Sequence, residues 1–185
     1  DTVETASREW EHSRVSVLDK LLDGDWDAVV CVPDAIMQFT LPPETIKEYS
    51  FSLSVGKSYD IKLICDKLLI MGYCRAEFVE GKGQFSVRGG ILDVFPSGEE
   101  KAVRIDFFGD EADKIGHFDV LTQRCVDSIE NVKILPCTEN VYDYSTALRV
   151  LEFVNEKLHS AKGLDGQAIT TLCRERDAIE NLKTV

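Results

Sequence analysis

Between Tyr73 and Leu135 the sequence breaks into short runs divided by turn residues, and no gap between them is long enough to hold a crossover helix. The runs are 73–80, 84–88, 91–95, 102–108, 114–119 and 126–135, with Gly81-Lys82-Gly83, Gly89-Gly90 and Pro96-Ser97-Gly98 among the breaks. Parallel neighbours need a connection of about a dozen residues or more. The spacing therefore predicts five or six strands in an antiparallel meander. An amphipathic segment, Tyr59 to Met71, precedes them, with Ile61, Ile64, Leu68 and Met71 on one face and Gly72 as its stop.

The flanks have a different texture. Thr5 to Leu22 reads as a helix with Trp10, Val17, Leu18 and Leu21 on one stripe, broken by Asp23-Gly24-Asp25. Ala28-Val29-Val30-Cys31-Val32 is continuously apolar, the pattern of a strand buried on both faces. Pro33-Asp34 opens a short helix through Met37, and Leu41-Pro42-Pro43-Glu44 opens another. Helix, buried strand, helix is a slice of an α/β layer whose other strands must come from elsewhere. The helical period returns from Ser145 to Leu158, Lys162 to Gly166 is a loop, and Thr170 to Leu182 is a final helix. The predicted class is α+β: a partial α/β segment over 1–50, an antiparallel β module over 51–137 and a helical segment over 138–185. The chain is expected to be a piece of a longer protein.

Charge and cysteine usage narrow the function classes. With 21 Lys plus Arg against 33 Asp plus Glu, the formal charge of −12 repels phosphate backbones and anionic membranes. The six cysteines form no C-x-x-C pair and several sit in apolar runs, which predicts buried, reduced thiols in a cytoplasmic protein. No stretch has the length of a membrane span. Val55-Gly56-Lys57-Ser58 ends like a phosphate loop, but the glycine required five residues earlier is Phe51. Helix capping by Ser58 or Asp60 is the better account. His12, His117 and His159 are scattered, so no metal site is expected, and no catalytic constellation or cofactor site is found.

Binding remains. In Ala102-Val103-Arg104-Ile105-Asp106-Phe107-Phe108, alternation puts Val103, Ile105 and Phe107 on one face and Arg104, Asp106 and Phe108 on the other. In Gln84-Phe85-Ser86-Val87-Arg88 the same rule sends Ser86 and Arg88 outward, and Arg75 is placed on that side too. Arginine and aromatic residues dominate interface hot spots because they offer large contact area and directed donors. The plainer reading is an Arg104–Asp106 pair on a solvated face, worth roughly 0–1 kcal/mol, with Phe108 folded into the sheet edge.

The blocks Gly72-Tyr73, Arg75, Gly83, Phe85, Val87 to Pro96, Arg104 to Phe108 and Asp110-Glu111, with Arg8-Glu9-Trp10-Glu11 near the start, resemble the bacterial transcription-repair coupling factor family (Mfd). They are similar to its UvrB-homology module, densest from Gly72 to Pro136. The resemblance implies a UvrB domain 2-like antiparallel β module, inserted in a degenerate helicase-like α/β domain that lacks ATPase motifs. It also implies docking onto the repair protein UvrA through Arg88, Arg104 and Phe108, with Arg75 and Asp106 added from the UvrB version. Ser86 stands where UvrB carries a second arginine.

The expectation is thus a non-enzymatic, monomeric UvrA-binding adaptor that recruits nucleotide excision repair to stalled RNA polymerase. In the whole family member, an ATP-dependent DNA translocase, polymerase and DNA would be engaged by other domains. The alternative is a nucleic-acid-binding module of a UvrB-like DNA repair protein. Asp106 is expected to brace Arg104, so that Arg104→Glu would remove docking and leave stability nearly unchanged.

Overall fold

A computed structural model describes residues 2–24, 26–139, 141, 144–160, 169, 170 and 173, divided between two compact units, 1–141 and 142–185. In the second unit, α5 (Tyr144–His159) buries Leu151 and Val154. The loop expected over 162–166 and nearly all of the last predicted helix lie outside the described residues.

The first unit is built on a five-stranded sheet in the order β2-β3-β4-β5-β6, formed by β2 (Cys74–Arg75), β3 (Gln84–Arg88), β4 (Ile91–Val94), β5 (Ala102–Phe108) and β6 (Glu111–Phe118). β3 to β6 form the predicted antiparallel meander. Two expectations are corrected. β2 is short and runs parallel to β3, because the chain from Ala76 to Gly83 loops back over the sheet and re-enters in the same direction. The run 126–135 is a strand only at β7 (Asn131–Ile134), which pairs with β1 (Phe51–Ser54) in a separate two-stranded sheet.

One face of the large sheet carries the main core. Phe85, Leu92, Val94, Val103, Ile105 and Ile115 point to it by strand alternation and are buried. Leu53 of β1 and Val132 and Ile134 of β7 pack there, together with α4 (Ile61–Ile70), which contributes Ile64 and Leu68. The residue at its N-terminus is Asp60, whose Oδ1 accepts from the amides of Lys62 at 2.8 Å and Leu63 at 3.3 Å. The Gly-Lys-Ser run is thus a turn before a capped helix. Phe107 is only half-buried against this core, so Phe107→Ala is expected to cost less than the about 3–5 kcal/mol of a fully buried phenylalanine.

Gly72 closes α4 with φ +86°, and a Cβ there would lie 2.4 Å from Thr138 Cγ2. Gly72→Ala should therefore lower stability by about 1–3 kcal/mol from overpacking alone, read as a lower urea midpoint. The left-handed backbone adds to that loss.

The N-terminal elements are α1 (Thr2–Asp23), α2 (Pro33–Met37) and α3 (Pro43–Tyr49). α1 docks through polar clasps: Glu11 Oε1 accepts from Thr138 Oγ1 at 2.7 Å, and Asp19 takes Lys133 Nζ at 2.7 Å. Among the α1 residues whose burial is described, His12, Val15 and Asp19 are buried and Leu18 packs against the cluster of Leu41 and Ile46, whereas Trp10 and Val17 of the predicted stripe are exposed, so the buried face is rotated from the prediction. Residues 28–32 form no regular element and pair with no strand among the described residues, and Val30 is almost fully exposed. A two-sided strand needs neighbours on both edges, and none of the described elements supplies them. Of the six cysteines, Cys31, Cys74 and Cys125 are exposed and only Cys137 is buried, which corrects the reading of buried thiols. No described helix is long and apolar enough to cross a membrane.

Candidate protein-docking site

The second face of the sheet carries the residues singled out by alternation. Two rows run across it. The first joins Ser86, Asp93, Arg104 and Gly116 through successive pairs, and the second joins Arg88, Ile91, Asp106 and Lys114. Phe108 lies at the end of β5 opposite Glu111 and is 85% exposed. A register shift between Asp106 and Phe107 interrupts the ladder just before it, and such bulges re-aim the side chains beside them.

Asp93 organises the first row. It is 1% exposed, and a buried carboxylate is tolerable only when paired and hydrogen-bonded. Its Oδ1 accepts from Arg104 Nε at 2.6 Å, and its Oδ2 accepts from Arg104 at 2.8 Å and from Arg88 at 2.6 Å. One carboxylate thus serves two guanidinium groups, bidentate to Arg104, the geometry that makes such pairs strong. The hydrogen bonds to Asp93 hold Arg104 protonated even more firmly than usual.

Both arginines also tie down flanking loops. Arg104 donates to the Gln123 carbonyl at 3.1 Å and stacks 4.7 Å from the Phe118 ring. Arg88 donates to the Glu77 carbonyl at 3.0 Å and lies 4.8 Å from the Phe78 ring. Ser86 Oγ donates to the same Glu77 carbonyl at 2.7 Å. Gln123, held at φ 59°, donates from its side chain to the carbonyls of Val120 at 2.8 Å and Val79 at 3.3 Å. The segments around 77–79 and 120–123 therefore meet over one end of this face, where Val79, Ala102 and Phe118 form a small separate core.

These contacts sort the predicted residues. Phe108, Asp106 and Arg88 lie along the uncovered part of the face, and the Arg88 side chain keeps 35% exposure. Arg104 retains 15% and is committed to internal partners, and its brace is Asp93 rather than the expected Asp106. Ser86 is buried beneath the 77–79 segment instead of facing out. Arg75 sits opposite Phe85 in β2, on the other parity, within electrostatic reach of Cys65 on α4. It is exposed but does not join Arg88 and Arg104.

Alternation missed Asp93, Ile91, Lys114 and Phe78. Only Asp93 left a mark in the sequence, as a carboxylate inside the apolar run Ile91-Leu92-Asp93-Val94. The others follow from register and from a loop folding back. Chemically, the face offers an exposed ring, an arginine fixed over a second ring, and flanking charges of both signs. It holds no nucleophile–base arrangement and suits recognition of a protein surface.

Residues 51–140 match the UvrB interaction domain family. Across 84% of its length the chain is 30% identical to the transcription-repair-coupling factor of Bacillus subtilis (strain 168). Across 85% it is 34% identical to that of Staphylococcus aureus (strain MRSA252), and 32% identical to that of Staphylococcus epidermidis. It spans 13% of the length of each of these relatives.

Proposed function

We propose, on the premise that residues 51–140 belong to the UvrB interaction domain family in a chain related to the transcription-repair-coupling factors, that the uncovered sheet face docks UvrA. Phe108 would supply buried apolar area, Arg88 a directed charge, and Asp106 and Arg104 the electrostatic setting. Arg75, on the other parity, would meet UvrA only if the contact wraps the β2 edge. The observation that supports this reading most is Phe108: a large aromatic, 85% exposed, in a family interaction domain whose sheet also carries a pre-positioned arginine, Arg88. Within a longer cytoplasmic protein, such docking would bring nucleotide excision repair to stalled RNA polymerase, with polymerase and DNA engaged by other segments.

Two binding experiments test the proposal. Excess UvrB should displace this chain from UvrA, since both would use the same kind of module. A stable complex of all three proteins would contradict it. Titration with duplex DNA is expected to give little binding, because Asp93 already offsets charge on the two arginines and the net charge is −12. Tight DNA binding with a steep salt slope would instead favour the nucleic-acid reading.

A further inference from the structure

We infer that Asp93 is the positioning residue of the docking face, holding Arg88 in a presentation ready for a partner with Arg104 as its second, internal anchor. The inference rests on the reading that this face docks UvrA. Three observations carry it. Asp93 is 1% exposed, so its carboxylate acts through the groups around it and cannot itself meet a partner. It accepts three short bonds from the two guanidinium groups. The two arginines then fix the segments bearing Phe78 and Gln123 through backbone carbonyls on each side.

The physical benefit is entropic. A free surface arginine carries large rotamer entropy that association must remove. Arg88 is already fixed between Asp93, the Glu77 carbonyl and the Phe78 ring, while its side chain keeps 35% exposure. The ordering cost is therefore met on folding, and docking requires little rearrangement. Arg104, more covered, acts as the second anchor that keeps the carboxylate aimed across the sheet.

The test joins a spectroscopic readout to an affinity. In the unmodified chain, the Arg104 Nε–Hε proton should exchange with solvent at least about tenfold more slowly than that of exposed Arg124, as expected for a hydrogen-bonded, part-buried donor. Asp93→Asn should abolish that protection and weaken binding to purified UvrA on the order of tenfold per folded molecule. Protection absent in the unmodified chain overturns the inference even where the variant fails to fold. Undiminished affinity in a folded Asp93→Asn, with the unmodified chain binding UvrA, overturns the inference alone. No binding by the unmodified chain removes the docking reading and this inference together.

Discussion

Arg104→Glu is expected to destabilise the first unit by about 3–5 kcal/mol, the range for removing one partner of a buried ion pair. The change removes the bidentate partner of Asp93 and sets a second carboxylate against a group that is 1% exposed. Arg88 alone cannot compensate, because it contributes one bond to Asp93 and is held elsewhere by Glu77. The Gln123 carbonyl and the Phe118 ring lose their cation as well. Since small domains are stable by only about 5–15 kcal/mol, a loss of this size is a large fraction of the whole. Circular dichroism during urea and thermal unfolding checks this. A melting temperature equal to that of the unmodified chain would show that the Asp93–Arg104 pair contributes little. The sequence alone suggested the reverse, a free Arg104 whose reversal would leave stability intact. A loss of binding in this variant therefore says little about contact with a partner until its folded fraction is known.

Phe108→Ala separates stability from docking cleanly. The ring is 85% exposed and lies outside the main core cluster, so stability should change by no more than about 0.5 kcal/mol. A hot-spot aromatic removed from an interface costs on the order of 2 kcal/mol, about thirtyfold in Kd. Calorimetric titration of UvrA should thus show a much weaker complex from a protein that melts normally. Equal affinity would remove Phe108 from the docking surface, and a marked fall in stability would show that the ring is structural.

The β module was legible because its turns are spelled out by glycine and proline and its strands alternate in apolar character. Val103, Ile105 and Phe85 fall inward as that alternation requires. What the sequence hid lies in tertiary placement. Ser86 alternates outward and is nevertheless buried, because the 77–79 segment folds over it. Arg75 needed the register of β2, which runs parallel against expectation. Asp93 drew no attention, since a lone carboxylate in a strand gives no sign of the two arginines it will meet from neighbouring strands. Ala28 to Val32 shows the opposite failure, a strand-like composition with no neighbouring strand among the described residues to pair with.

The claim that matters most is which face of the five-stranded sheet meets the partner. Backbone and side-chain chemical shifts of this chain, followed by NMR as UvrA is added, read that directly. The account predicts that the largest changes fall on Phe108, Asp106, Arg88, Ile91, Lys114 and the loop bearing Phe78. Changes centred instead on α4 and the β1–β7 pair, with Phe108 unmoved, would contradict it.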